Sequence, residues 1–147
     1  MDELEAALQA EVLRFSERNG YIAEHFADAR CECGSQRFTL HEEETQGCAI
    51  RVCTRCGVDH FIGDTEQVLS DCEGFTQRTC RCGAAELLIL CAVALYDGSD
   101  DVRWLYVGAG CPVCRLVGVY VEWKVEGGDY RPFIAREGAR REPPRHR

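Results

Sequence analysis

The sequence of 147 residues contains no long hydrophobic run and no signature of a known catalytic centre. Its longest apolar run, residues 87–96, is about half as long as a helix that crosses a bilayer. There is no glycine-rich phosphate loop, no Ser–His–Asp signature and no H-E-x-x-H motif. From these absences we expect neither a membrane protein nor an enzyme, and we assign no catalytic residue.

The chain also has few basic residues relative to its acidic ones. It carries 17 lysines and arginines against 25 aspartates and glutamates, a formal net charge of −8. Nucleic-acid backbones are bound by clustered Lys and Arg side chains, so an acidic body is a poor surface for them. Residues 131–147 are the exception, with six arginines. We predict this tail to be disordered, and it alone keeps nucleic acid open as a partner.

What the sequence does contain is cysteine, eleven residues in all. Eight of them follow a pattern that occurs twice: a C-x-C-G motif, a stretch of strand-like sequence, and a C-x-x-C motif. The first copy holds Cys31, Cys33, Cys53 and Cys56, and the second holds Cys80, Cys82, Cys111 and Cys114. Each copy supplies four thiolates, the ligand set of a tetrahedral structural zinc site.

Disulfide bonds are the alternative to metal for so many cysteines. Cysteines separated by one or two residues are poorly placed to bond to each other and well placed to bind one ion. The cysteine count is odd, and the N-terminus is acidic from Asp2 without the basic and apolar regions of a signal peptide. We therefore favour metal over disulfides and expect a cytoplasmic protein whose thiols stay reduced.

The remaining sequence is predicted to form one helix and two groups of three strands. Leu4, Leu8, Val12 and Phe15 recur at helical spacing before Asn19-Gly20, a suitable helix end. Turn sequences and runs of β-forming residues predict three strands in each copy of the cysteine pattern. The predicted organisation is an N-terminal helix at 1–25, a first unit at 26–64, a linker at 65–74, an enlarged second unit at 75–130, and the tail at 131–147.

This arrangement resembles the zinc ribbon family, in which two cysteine knuckles clamp one ion and a three-stranded antiparallel sheet hangs from them. The resemblance implies a small α+β or mainly-β protein, with two duplicated ribbons after the N-terminal helix. It also implies two structural Zn²⁺ ions on the eight cysteines, iron being the less favoured metal. Arg115 departs from the family pattern, because a glycine usually follows the second knuckle.

Three points about the sites stay open. Either C-x-C motif could share an ion with either C-x-x-C motif, although short hairpin connections favour sequential pairing. Five arginines flank the ligands and either screen the thiolates or lie on the surface: Arg30, Arg51, Arg55, Arg78 and Arg81. His41 and His60 are expected on the surface or in support of the ligands, since both sites are already complete with sulfur.

The other polar and sulfur-bearing residues give weaker signals. Cys91 lies in the apolar run and is expected in the core. Cys48 and Cys72 are assigned no catalytic role. The acidic neighbours of Cys72 disfavour a reactive thiolate at that position. The acidic stretch 97–101 lacks the spaced ligands of a calcium loop and is predicted to be a hairpin turn.

The strand predicted at 87–96 is apolar on both faces, so it must be covered on two sides by the N-terminal helix, the first unit or another chain. Nearby aromatic residues are candidates for binding a partner: Tyr96, Trp104, Tyr106 and Tyr120. With closed metal sites and no catalytic signature, we predict a non-enzymatic protein–protein interaction module or adaptor, and an oligomer is compatible with this. The alternatives are a transcription-related, nucleic-acid-binding protein that uses its loops and tail, and a redox or metal-handling protein.

Overall fold

The computed structural model describes residues 2–43 and 45–141, with only the backbone of 139–141. The helices are α1 (Glu3–Asn19), α2 (Thr65–Val68) and α3 (Tyr130–Glu137), and Leu69–Asp71 forms a 3₁₀ turn. The strands are β1 (His25–Ala29), β2 (Phe38–Glu43), β3 (Cys48–Cys53), β4 (Asp59–Phe61), β5 (Thr76–Arg78), β6 (Leu88–Leu95), β7 (Val102–Gly110), β8 (Val117–Lys124) and β9 (Gly138–Arg141). The fold is small and mainly β, as predicted. Within the described residues, no helix combines the length and apolarity needed to cross a membrane.

Helix α1 begins at a cap that the structure reveals and ends at the predicted signal. The Asp2 side chain accepts a hydrogen bond from the Glu5 N–H at 2.9 Å, which caps the first turn. Gly20 ends the helix in a left-handed conformation with φ 91°, and its N–H bonds to the Ser16 carbonyl. The predicted N-terminal helix is therefore confirmed.

The described strands form two antiparallel sheets, one of five strands in the order β8-β7-β6-β1-β9 and one of four in the order β4-β3-β2-β5. Two separate three-stranded ribbons are not confirmed. The predicted hairpin strands are present as β2-β3-β4 and β6-β7-β8, but β1, β5 and β9 extend them. The acidic stretch 97–101 lies between β6 and β7, where the hairpin turn was predicted.

The strands that extend the sheets are exchanged between the two cysteine repeats. Strand β1 precedes the first C-x-C motif but pairs with β6, and β5 precedes the second C-x-C motif but pairs with β2. Equivalent residues of the two repeats are 49 positions apart, as Cys31 and Cys80 are. Ala27 lies opposite Cys91. Their equivalents in the other repeat, Thr76 and Glu42, also lie opposite each other. Strand pairing therefore crosses the predicted boundary between the two units.

The five-stranded sheet is covered on both faces. Alternate residues of β6, Leu90, Ala92 and Ala94, pack in a cluster with α1 residues Leu8 and Val12. The intervening residues Ile89, Cys91 and Val93 lie in the larger core, which the four-stranded sheet and α3 complete. The two apolar faces of this strand are thus buried within the chain itself.

Strand β8 does not keep the simple alternation that its sequence predicts. Val107 lies opposite Val121 but Gly108 lies opposite Val119, so Tyr120 is the extra residue of a β-bulge. Val117 and Val119 consequently pack with the α1 cluster. Val121, Trp123 and Val125 belong to the other core. These five alternating apolar residues are therefore divided between both sides of the sheet.

The predicted disorder of the tail is wrong for residues 131–141, which lie in α3 and β9. The Asp129 side chain accepts a hydrogen bond from the Arg131 N–H and caps α3. Phe133 and Ile134 bury themselves in the larger core, 7% and 3% exposed. This apolar pair anchors a segment whose arginines suggested a solvated terminus. Residues 142–147 lie outside the described part of the chain.

Candidate metal centres

The structure brings the eight predicted cysteines together in two groups of four. Within each group all four Sγ atoms lie within 4.8 Å of one another. Each group comes from one copy of the pattern: Cys31, Cys33, Cys53 and Cys56 in the first, and Cys80, Cys82, Cys111 and Cys114 in the second. Of the two pairings left open by the sequence, the structure has the sequential one. The groups are compatible with tandem zinc-ribbon-like sites.

The spacing of the sulfur atoms fits a tetrahedral metal. The Sγ–Sγ distance is 3.4 Å for Cys31–Cys56 and for Cys80–Cys114. It is 3.6 Å for Cys33–Cys53 and for Cys82–Cys111. A zinc ion with Zn–S bonds of about 2.3 Å places its sulfur ligands about 3.8 Å apart. Small movements of the sulfur atoms in either group would therefore be enough to accommodate an ion.

Both C-x-C motifs fold into the same turn. The Gly34 N–H donates to the Cys31 carbonyl at 2.8 Å, and the Gly83 N–H donates to the Cys80 carbonyl at 2.8 Å. Both glycines have φ 94°, a left-handed conformation that disfavours residues with a Cβ atom. The turn that presents the two thiols thus favours a glycine after each C-x-C motif.

The C-x-x-C motifs also match each other. The Cys56 N–H points at the Cys53 sulfur and the Cys114 N–H at the Cys111 sulfur, each at 3.5 Å. The following residues, Gly57 and Arg115, are both left-handed with φ 79° and 72°. Arg115, the departure from the ribbon pattern, therefore keeps the backbone shape that the glycine has in the first copy.

In each group the pKa of one thiol is lowered and the pKa of another is raised. Burial raises the pKa of Cys53, but the N–H groups of Cys56 and Arg55 outweigh it and lower the pKa to about 6. The N–H of Val58 lowers the pKa of Cys56, yet its contact with the Cys31 thiol and its desolvation raise the value to about 12. The second group behaves alike, with pKa values of about 7 for Cys111 and about 11 for Cys114. Crowded thiolates of this kind favour a bound metal cation.

One histidine contacts the first cluster. The His60 Nε2 atom lies 3.4 Å from the Cys31 sulfur. Burial and, secondarily, the charge of Arg51 lower the pKa of His60, which favours the neutral imidazole. His41 lies farther along β2, where its Nε2 hydrogen-bonds the Thr39 hydroxyl at 2.9 Å.

The prediction that Arg51 screens the thiolates or lies on the surface is wrong. Arg51 is 0% exposed, and its Nε donates to Glu137 Oε1 at 3.1 Å. The Glu137 side chain also accepts the Gly63 N–H, and the Arg51 guanidinium stacks over the Phe38 ring at 4.5 Å. This buried pair ties α3 to the four-stranded sheet. No sequence signal marks Glu137, which lies 86 residues from its partner.

Three of the other flanking arginines are surface charges, and the fourth belongs to a half-buried ion pair. Arg30, Arg55 and Arg81 are exposed. Arg78 pairs with Glu42 and lies 5.0 Å from the Tyr120 ring centre. Arg78 also donates a hydrogen bond to the Tyr120 carbonyl at 3.1 Å, while the other three arginines face solvent.

Cys48 and Cys72 form a disulfide, contrary to the expectation that the remaining thiols stay reduced. The linker folds back on β3, where the Thr65 hydroxyl accepts a hydrogen bond from the Ala49 N–H at 2.9 Å. This contact brings the two cysteines together across 24 residues of sequence. Cys91 is buried in the core, as predicted.

Tyr106 is wrongly predicted as a partner-binding residue. It is 0% exposed, and its hydroxyl donates to the Tyr21 carbonyl at 2.6 Å beneath α1. Trp104 stacks on Tyr21 with ring centres 4.8 Å apart, and its Nε1 donates to Glu122. Tyr96 and Tyr120 are half-buried. Partner binding by Trp104, Tyr96 and Tyr120 stays a prediction.

Comparison of the chain with protein-family models, with curated proteins and with solved structures gives no match. The geometry of the cysteine clusters is therefore the basis for a functional assignment.

Proposed function

We propose that this chain is a non-enzymatic zinc-binding protein that holds two structural Zn²⁺ ions and acts by binding another protein. The observation that carries the zinc proposal is the pair of four-cysteine groups, each with its sulfurs within 4.8 Å. Zinc is the preferred ion because four thiolates in a tetrahedral arrangement are its most common structural ligand set.

The composition of the sites supports a structural role for the metal. Catalytic zinc sites keep one coordination position open for water, whereas four cysteine ligands leave none. The matched knuckle turns also place backbone N–H groups at Cys53 and Cys111, which stabilises thiolate charge in the bound state. In this proposal each ion fixes the hairpin connections of its own repeat.

The measurement that tests the zinc proposal is native mass spectrometry of the chain purified with zinc. We expect two Zn²⁺ per chain. Cys53→Ser and Cys111→Ser should each retain one, because the two sites share no ligand. Cys91→Ser, which changes a buried cysteine outside both groups, is the control and should retain two. A wild-type chain without zinc would contradict the proposal.

Exposed apolar side chains support a protein partner. Val113 and Leu116, on either side of Arg115 at the second cluster, are 74% and 44% exposed. The formal net charge of −8 argues against a nucleic acid. Arg131 of the tail pairs with Asp100 and Asp129, and Arg136 donates to the Gly63 carbonyl, so these arginines already have partners within the chain.

The partner proposal is tested by affinity purification from cells of the source organism, with each variant compared to wild type. We expect Val113→Asp with Leu116→Asp to lose a stoichiometric protein that wild type recovers. Ile22→Asp, at another exposed apolar residue (54%), is the matched control and should recover it. Equal recovery by both variants would reject this surface. Salt-sensitive binding of the wild-type chain to DNA or RNA would favour the nucleic-acid alternative instead.

A further inference from the structure

A third group of residues with metal-ligating side chains lies outside the two cysteine clusters. It consists of Glu43, Cys48 and Cys72, whose ligand atoms all lie within 4.8 Å of one another. Glu43 ends β2 and lies directly opposite Cys48 at the start of β3. Cys72 follows the 3₁₀ turn of the linker, which the Thr65–Ala49 hydrogen bond holds against β3.

The Glu43 carboxylate is only partly satisfied at this position. One oxygen accepts the Thr45 N–H at 2.6 Å. The other oxygen, Oε2, is buried and has no hydrogen-bond partner among the described residues. A buried carboxylate oxygen without a partner is costly, and a cation beside it would compensate for the lost hydration.

We infer that reduction of the Cys48–Cys72 disulfide converts this group into a third zinc site, with Glu43, Cys48 and Cys72 as its ligands. The disulfide and the metal are mutually exclusive, because a sulfur in a disulfide is not a thiolate ligand. Three protein ligands leave the fourth position of the zinc ion to water, which makes this site open, unlike the two four-cysteine groups.

The chemistry requires a two-electron reductant. A dithiol transfers two electrons and two protons to the disulfide, the Sγ–Sγ bond breaks, and the dithiol becomes a cyclic disulfide. Zn²⁺ then binds the two sulfurs and releases their two protons to water. Cys72 is the accessible point of attack, because it is half-buried whereas Cys48 is 0% exposed.

The surrounding chain allows the sulfurs to move apart on reduction. Two thiolates on one zinc ion are separated by about 3.8 Å, well beyond bonding distance. Cys48 is fixed in β3, but Cys72 is followed by the exposed residues Glu73 and Gly74 in the linker. The linker therefore supplies the movement, and the four-stranded sheet keeps Cys48 and Glu43 in place.

Native mass spectrometry of the full chain, equilibrated with excess Zn²⁺ with and without a phosphine, tests the inference. The phosphine reduces the disulfide by taking oxygen from water, and unlike a dithiol it does not compete strongly for zinc. We expect two Zn²⁺ per chain before reduction and three after it. Two after complete reduction, with thiol titration showing two new thiols, would overturn the inference. Three before reduction would also overturn it.

Variants identify the ligands. Cys72→Ser should hold two Zn²⁺ under both conditions, and Glu43→Gln should keep the disulfide but bind the third ion at least tenfold more weakly. Glu73→Gln removes an exposed carboxylate next to Cys72 and should behave as wild type. Equal affinity of the Glu43→Gln and Glu73→Gln chains for the third ion would overturn the assignment of Glu43. A count of fewer than two before reduction bears on the proposed function alone, because the oxidised chain tests only the two cysteine clusters.

Discussion

Phe38 and Leu87 exchange both of their backbone hydrogen bonds where the two sheets meet. The Phe38 N–H donates to the Leu87 carbonyl at 3.0 Å, and the Leu87 N–H donates to the Phe38 carbonyl at 2.8 Å. The two residues are 49 positions apart, as are Cys31 and Cys80, so equivalent residues of the two repeats pair with each other. An antiparallel pair of this kind lies on an approximate two-fold axis. The repeats therefore relate to each other much as the subunits of a strand-exchanged dimer do.

The exchange of β1 and β5 predicts that neither repeat is an independent folding unit. A protease site inserted between Glu73 and Gly74 would cut the exposed linker and leave both cysteine groups intact. We expect the nicked chain to elute as one species of the uncut size, because β1–β6, β2–β5 and β1–β9 pairings join the two fragments. Size-exclusion chromatography without denaturant makes the measurement. Two folded fragments that separate would show that the repeats are autonomous.

Loss of one partner of the Arg51–Glu137 pair should be strongly destabilising. Glu137→Leu leaves a buried guanidinium without its carboxylate, which typically lowers the free energy of unfolding by about 3–5 kcal/mol. Urea denaturation at fixed free zinc measures the change.

The matched controls separate the pair from the charges themselves. Adding Arg51→Met to Glu137→Leu should recover most of the loss, because the unpaired charge is gone. Arg55→Met, at an exposed arginine within the first C-x-x-C motif, should change the free energy of unfolding by less than about 0.5 kcal/mol. A loss below about 1 kcal/mol for Glu137→Leu would indicate that the pair contributes little.

The two left-handed knuckle residues should respond oppositely to substitution. Arg115→Gly relieves a φ of 72° and should raise the free energy of unfolding by about 1 kcal/mol. Gly57→Ala imposes the same strain on the first knuckle and should lower the free energy of unfolding by a similar amount. No atom lies within 4 Å of the new Cβ, so backbone strain is the only cost of this substitution. Thermal unfolding with zinc present should show shifts of about 2–4 °C in opposite directions. Shifts of the same sign would contradict the shared backbone shape.

Gly108 is predicted to be required for the close packing of α1 on β7. A Cβ atom there would lie 2.5 Å from Val12 Cγ2 and 3.1 Å from Leu8 Cδ1. Gly108→Ala should therefore lower the free energy of unfolding by about 1–3 kcal/mol through overpacking. Gly118→Ala is the control on the neighbouring strand, with open space at its Cβ. Equal urea midpoints for the two variants would show that α1 can shift without cost.

Features encoded by neighbouring residues could be predicted from the sequence. The glycine that ends α1 follows directly after the helix, and each cysteine motif lies within four residues, so local pattern was sufficient to place them. The exchange of β1 and β5 was missed because periodicity indicates a strand but does not specify its partner. Tyr106 was misplaced for a related reason: a strand residue faces one side or the other, and only the docking of α1 decides which side is covered.

Long-range polar and sulfur contacts were also beyond the sequence. Arg51 and Glu137 meet only because α3 returns to the four-stranded sheet. The Cys48–Cys72 bond depends on the linker folding back on β3. The bulge at Tyr120 changed the facing of Val117 and Val119, and its cause lies in the register with β7 rather than in β8 itself.

The central claim, two closed sites of four thiolates, is tested most directly by X-ray absorption spectroscopy at the zinc edge of the oxidised protein. The oxidised state isolates the two clusters, because the Cys48–Cys72 sulfurs are then unavailable to metal. We predict a single shell of four sulfur atoms at about 2.3 Å from each zinc ion. A nitrogen or oxygen shell at about 2.0–2.1 Å, from His60 or from water, would contradict closed all-sulfur coordination.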